Sequence, residues 1–197
     1  MTADIRQEDG LGHWAGRDAT EGFLPDEEIQ RLNRDLRILI ASNGTLTRVL
    51  GVVANDEIVV QIVDQQVRNV ASTMPDLDQL PSGRVLQRRI FLKGRNSGDP
   101  LVAAESLVAI DLLPSAITAS LIDTERPIGE IMAASCLETF KEAARAWIGK
   151  PPDWLTAAGY QSSEPRIIAR RYRVILGGQP AIIITEYFLR EVFQDTP

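Results

Sequence analysis

Residues 170–189 read RRYRVILGGQPAIIITEYFL. Two apolar runs flank Gly177-Gly178, the pattern of two antiparallel strands joined by a tight turn. The second run carries a single carboxylate, Glu186. Period-2 alternation puts Glu186 on the face that holds Ile182, Ile184 and Phe188. An ionised acid on such a face is costly unless a cation or a ligand meets it. The competing reading is a half-solvated acid on an edge strand. Turn length sets what faces it. A two-residue turn puts Glu186 opposite Ala169 and diagonal to Arg171, and a four-residue loop puts it opposite Arg171. In either register Arg171 is a candidate structural counter-charge, and Arg170 and Arg173 read as solvated strand charges.

Working outward, residues 84–93 and 101–110 read as two more strands, joined by a loop rich in turn formers (GRNSGDP). A short strand is expected over 46–53 and another over 57–66, with an irregular connection over 71–82. Helices are expected over 114–122 and 127–134. Ser135-x-x-Glu138 looks like a capping box opening a helix that carries Phe140, Ala143, Ala144, Trp147 and Ile148. Residues 154–159 suggest one further helical turn. Near the start, Pro25-Asp26-Glu27-Glu28 opens a helix whose apolar stripe is Ile29, Leu32, Leu36, Leu39 and Ile40. Residues 1–22 lack periodicity and read as a loosely docked or disordered arm, leaving 23–197 as one domain. Hairpin-linked strands with helices between them predict an α+β domain: an antiparallel sheet of about six strands with helices on one face.

The 197 residues suit a single domain, and a net charge of −6 argues against nucleic acid or an anionic membrane as a partner. No apolar run approaches the ~20 residues of a membrane span, and the polar start MTADIRQEDG is unlike a secretory signal, so a cytoplasmic location is expected. One cysteine, Cys136, and one histidine, His13, leave little for a cysteine metal cluster, a histidine metal site or a histidine-dependent nucleophile. No metal is expected. No phosphate-binding or nucleophile-elbow motif is present. Catalysis, if any, rests on carboxylate, arginine, lysine, tyrosine, hydroxyl or backbone groups.

In the strand GRVLQRRIFLK, alternation separates the adjacent arginines. Arg88 shares a face with Leu86, Ile90 and Leu92, and Arg89 turns the other way. A buried guanidinium wants a carboxylate from the protein or from a ligand. Structural pairs with Glu186 or Glu105 compete with a ligand site. Glu105, inside LVAAESLVAI, is a second active carboxylate or a partner for Arg88. Tyr172 and Tyr187 read as strand packing, and Lys93 as a solvated strand end.

Taken in order, the segments LNRDLRILIASNGTLTRVL, GRVLQRRIFLKGRNS, LVAAESLVAIDLLP, RPIGEIMAAS, ETFKEAARAW and ARRYRVILGGQPAIIITEYFLREVF resemble the chorismate–pyruvate lyase family, closest to its actinobacterial and cyanobacterial branch. The resemblance spans about residues 32–193, with GQPAIIITEYFL as its best marker. It implies an enzyme that removes pyruvate from chorismate and leaves 4-hydroxybenzoate, with no metal or organic cofactor, in a site enclosed by helical flaps. By motif position it assigns Arg88 to the ring carboxylate and Glu186 to the ring-hydroxyl side. Leu46 and Thr47 of GTLT and Ile128 of PIG become substrate contacts. Quinone-pathway members have Gly-Arg-Thr where this chain has Ala104-Glu105-Ser106, and a methionine where it has Leu46, so Glu105 joins the substrate-binding set. A monomer or weak dimer is expected. The alternatives are a ligand-sensing domain of the same fold, a chorismate-using lyase with another benzoate product, and a structural partner protein. Sensing domains of that fold normally follow a helix-turn-helix domain, which the 22-residue arm does not hold.

Overall fold

The computed structural model describes residues 22–69, 80–161, 166–189 and 193. The arm expected over 1–22 lies outside them except for Gly22, as does the expected connection up to residue 79. Among the described residues seven strands form one antiparallel sheet: β1 (Ile58–Asn69), β2 (Arg84–Gly94), β3 (Pro100–Ala109), β4 (Thr139–Lys141), β5 (Arg145–Gly149), β6 (Ile167–Leu176) and β7 (Gln179–Phe188). Their order is β1-β2-β3-β7-β6-β4, with β5 also paired to β6. The final hairpin thus supplies two central strands. Gly177 and Gly178 have φ of 57° and 79°, as the tight turn between twisted strands requires.

The helices are α1 (Asp26–Ile29), α2 (Arg34–Ala41), α3 (Leu46–Ala54), α4 (Ser115–Asp123), α5 (Ile128–Ala134) and α6 (Asp153–Ala157). Two separate apolar clusters hold α1 to α5 on one face of the sheet. Leu36, Leu39 and Leu50 of α2 and α3 pack on Leu92, Val102 and Phe188. Ile117, Leu121 and Ile131 of α4 and α5 pack on Leu86, Val108 and Ile182. Each fully buried aliphatic side chain contributes about 1.5–3 kcal/mol. Each helix pair is therefore gripped independently, and the sheet between the two grips is left to line a cavity. On the opposite face α6 packs through Trp154 against Phe91 and Tyr187, and Leu80 and Leu112 cover Val85, Leu107 and Ile183.

Three local expectations are corrected. Residues 46–53 are helical, not extended. Leu46, Val49, Leu50 and Val53 recur at helical spacing, and burial of that stripe overrides the β-branched composition. Asn55 closes α3 in the left-handed conformation at φ 49°. The stripe from Ile29 to Ile40 is two helices, because the Asn33 side chain accepts from the Leu36 amide at 2.8 Å and starts α2 anew. Residues 139–149 are not helical: they form β4 and β5, joined by residues 142–144 and laid end to end along the outer edge of β6. Ser135 does not open a helix. Its hydroxyl donates to the Met132 carbonyl at 2.6 Å and closes α5. The unfilled edge of β6 decides the state of this segment, and that edge is set by residues distant in sequence.

Candidate active site

Cross-strand pairing lays two rows of side chains on the helix-covered face. One row is Ile90, Ala104, Glu186 and Arg170, across β2, β3, β7 and β6. The next is Arg88, Ser106, Ile184 and Tyr172. Small residues at Ala104 and Ser106 leave space above the middle of the sheet. A cavity of about 430 Å³ occupies it, floored by Ile90, Ala104, Ser106, Ile184 and Glu186. That volume suits a small organic ligand. Leu46 and Thr47 at the start of α3 and Ile128 and Gly129 at the start of α5 form its roof, and Lys141 of β4 stands at one side.

Glu186 is 3% exposed and lies directly opposite Arg170. The two-residue turn alone would put it opposite Ala169. A bulge between the pairs Ile175–Pro180 and Val174–Ile182 shifts the register by one. This corrects the reading of Arg170 as a solvated charge, because it is wholly buried. Its Nε donates to Glu186 Oε2, and its Nη1 donates to the carbonyls of Leu39, Ile40 and Ser42 where α2 ends. Arg171 pairs with Thr185 across the strands, on the other face, and so does not serve Glu186. Tyr172 Oη donates to Glu186 Oε1 at 3.0 Å. Burial, reinforced by the Glu186 charge and opposed by Arg170, holds that phenol well above its usual value.

Arg88 is wholly buried on the cavity's face of the sheet, as alternation requires. It stands beside the cavity wall, next to Ser106, which is part of it. Among the described residues no carboxylate is paired with it. Nη1 donates to the Arg126 carbonyl at 3.0 Å and Nη2 to the Thr124 carbonyl at 3.1 Å, tying the segment that leads into α5. Its Nε has no acceptor among the described residues. Burial pushes this guanidinium below its ordinary value, with Glu125 opposing.

Glu105 is not a partner of Arg88. It points to the opposite face, where it accepts from Arg89 Nε and Gln87 Nε2, each at 2.8 Å. The physical reason is parity: Glu105 is one residue out of step with Ala104 and Ser106. The sheet therefore separates it from the cavity. The geometry gathers Glu186, Leu46, Thr47 and Ile128 around one cavity, puts Arg88 at its margin and leaves Glu105 out.

Sequence reasoning passed over three residues of this site. Arg170 depends on the bulge, which no short-range signal announces. Tyr172 shares the alternation phase of Arg170, and as a strand tyrosine it reads only as packing. Lys141 lies in the segment misread as helix. Its Nζ sits 3.9 Å above the Tyr172 ring. Burial, helped by Arg170 and opposed by Glu186, lowers its ammonium to about 8. Among the described residues no group of three or more His, Cys, Asp or Glu side chains is placed to hold a metal ion, and no helix is long and apolar enough to cross a membrane.

A family model described as Rv2949c-like chorismate pyruvate-lyase matches residues 40–194, which include both rows of the sheet and both roof helices. The chain belongs to this family. The chorismate pyruvate-lyase of Mycobacterium tuberculosis (strain ATCC 25618 / H37Rv) is 60% identical over 181 residues, covering 90% of this chain and 91% of that protein. The protein of the same description from Mycobacterium leprae is 62% identical over 178 residues, covering 90% and 85%. A putative lyase of Methanocaldococcus jannaschii is 27% identical over 173 residues, covering 82% and 85%. Among solved structures, a GntR-family transcriptional regulator from Bacillus cereus superposes with a TM-score of 0.54 at 12% identity, over 72% of this chain and 98% of that one. The Staphylococcus aureus gene product SA0254 gives 0.55 at 10%, over 76% and 90%. Those two likenesses bear on the fold alone.

Proposed function

We propose that this chain is a chorismate pyruvate-lyase that converts chorismate to 4-hydroxybenzoate and pyruvate. The observation that carries the reading is an identity of 60–62% over nine-tenths of the chain with lyases of that description. The site supports it physically. Chorismate is a dianion, so a protein of net charge −6 needs local cations to bind it. Arg88 holds the ring carboxylate, with its Nε as the donor the protein leaves open. Leu46, Thr47 and Ile128 close over the ring and exclude water, which strengthens both polar contacts.

Glu186 meets the ring carbon that carries the hydroxyl. A carboxylate has about four lone-pair positions. Arg170 and Tyr172 take one on each oxygen, so acceptor capacity remains for substrate. Glu186 accepts from the hydroxyl and takes the proton from its carbon. The ether C–O bond on the neighbouring carbon breaks, the ring double bond forms, and the pair of electrons leaves with enolpyruvate. The proton ends on enolpyruvate, which ketonises to pyruvate. Aromatisation drives the step without net redox change, so the chemistry asks for no cofactor. We take the enzyme to be cytoplasmic and a monomer or weak dimer.

The test is to incubate protein dialysed against chelator with chorismate and resolve the products by chromatography. Equimolar 4-hydroxybenzoate and pyruvate are expected. Arg88→Ala should lose turnover and affinity for 4-hydroxybenzoate together, and Glu186→Gln should lose kcat while still binding product. A different benzoate isomer would redirect the product assignment. Tight 4-hydroxybenzoate binding without turnover would make the chain a sensor.

A further inference from the structure

Among the described residues of the cavity wall, Lys141 is the one cation and Glu186 the one acid. Arg88 stands behind Ser106, and Arg170 is committed to Glu186 and the end of α2. The substrate in the proposed reaction carries a second carboxylate, on its enolpyruvyl side chain, and Arg88 accounts only for the first. From the strand order and the position of the Lys141 ammonium over Tyr172, we infer that Lys141 holds the enolpyruvyl carboxylate of the substrate and stabilises the charge that develops on the departing oxygen. The inference rests on the lyase reading above.

The sheet fixes the spacing. Arg88 is on β2, Glu186 two strands away on β7, and Tyr172 three strands away on β6. Neighbouring strands lie about 4.8 Å apart, so these side chains spring from points about 10 and about 14 Å from the Arg88 strand. Lys141 starts from β4, beyond β6, and reaches back until its Nζ lies over the Tyr172 ring. The two cations therefore stand on opposite sides of Glu186. A ring anchored by its carboxylate at Arg88, with its hydroxyl at Glu186, directs the adjacent ether substituent toward Lys141.

The surroundings of the ammonium fit this role. The groups that face it are the Tyr172 ring, Arg170 and Glu186. Glu186 is already engaged by Arg170 and Tyr172. No salt bridge from Lys141 to a described carboxylate is formed, so its three N–H donors remain for a ligand. A lysine left in this state has an ammonium depressed to about 8, and an arriving carboxylate raises it again. In the reaction the C–O bond electrons move onto the ether oxygen, and a neighbouring ammonium is worth more there than in the ground state.

The discriminating ligand is 4-hydroxybenzoate, which has the ring carboxylate and the hydroxyl but lacks the enolpyruvyl group. Lys141→Met should lower kcat/KM for chorismate by about 10²- to 10³-fold, the scale of a truncated partner in a buried charge pair. Its affinity for 4-hydroxybenzoate, measured by calorimetry, should stay at the wild-type value, which also reports an intact fold. Lys141→Arg should recover most of the lost activity. In the wild type, kcat/KM should fall as pH rises through about 8, because the free enzyme must carry the charged ammonium. That limb should move to higher pH in Lys141→Arg and vanish in Lys141→Met. Equal losses of chorismate and 4-hydroxybenzoate affinity in Lys141→Met, or wild-type turnover by it, would overturn the assignment while leaving the lyase reading intact. A wild-type protein that releases no pyruvate would overturn both.

Discussion

Arg170→Met should destabilise the protein far more than a typical substitution, and the structure gives the reason. The guanidinium is wholly buried and has two duties. It neutralises Glu186, which is 3% exposed, and it satisfies carbonyls of Leu39, Ile40 and Ser42 at the end of α2. Methionine fills part of the volume and performs neither duty. Leaving one partner of a buried ion pair alone costs about 3–5 kcal/mol. A buried carbonyl left without a donor adds about 1–3 kcal/mol. The three carbonyls share one nitrogen, which carries two hydrogens, and the Ser42 carbonyl is closest to solvent, so one such penalty is the fair count. The expected loss is therefore about 4–8 kcal/mol.

Urea unfolding followed by tryptophan fluorescence measures it, with an unchanged slope expected because the surface exposed on unfolding is nearly the same. The double variant Arg170→Met/Glu186→Leu removes the stranded charge. It should regain most of the loss, since apolar replacement of a buried pair is often neutral. Arg170→Met within about 1 kcal/mol of wild type would refute the reasoning, because a loss that small is ordinary for any substitution. A double variant no better than the single would refute the assignment of the cost to Glu186.

Two further predictions concern the roof and the acid limit. A Cβ on Gly129 would sit 3.1 Å from Thr45 Cγ2, where α5 meets the start of α3 over the cavity. Gly129→Ala should therefore raise KM for chorismate while Tm holds or rises, since alanine favours a helix by about 1 kcal/mol; an unchanged KM would remove the roof contact from the argument. Asp56 is held below the ordinary Asp value of 3.8 chiefly by the Ser97 amide, and Asp111 chiefly by the Arg84 amide. With the folded value depressed, their contribution to stability is complete above the unfolded value and is lost as pH falls through the folded one. Asp56→Asn and Asp111→Asn should flatten the acid limb of a Tm–pH profile, and an unaltered limb would place acid sensitivity elsewhere.

How much of this was legible in the chain depends on the range of the deciding interaction. Gly177-Gly178 announced the central hairpin because a two-residue turn is a local requirement. The faces of Arg88 and Glu186 were legible because alternation has a period of two, whatever surrounds the strand. The position of Glu105 was in principle equally legible. The same parity rule that put Arg88 and Arg89 on opposite faces leaves Glu105 facing Arg89 once β2 and β3 are in register. That register, however, is a long-range fact. Residues 46–54 and 139–149 were misread for opposite reasons. In the first, a β-branched composition hid a helical stripe whose burial depends on the sheet. In the second, a helical stripe was overruled by a vacant strand edge. Arg170 was missed because one bulge near Pro180 moves the β6 partners of β7 from Ile182 onward by one residue.

The same arginine explains why charge is kept in this interior at all. Stability alone does not require the Arg170–Glu186 pair, since well-packed apolar residues in its place would serve as well or better. What the pair provides is a carboxylate fixed on a rigid central strand, with acceptor positions still open toward the cavity. It also provides a tie. The carbonyls that Arg170 Nη1 engages belong to the end of α2, and the chain runs from there through Asn43, Gly44 and Thr45 directly into Leu46 and Thr47 of the roof. Glu186 on the floor and the start of α3 on the roof are thus held by a single guanidinium. A shift of the roof moves the carbonyls that orient Arg170, and a change at Glu186 loosens the anchor of the roof. The acid and the cover that keeps water from it are in this sense one mechanical unit, built around a residue whose alternation phase is visible in the sequence and whose partners are not.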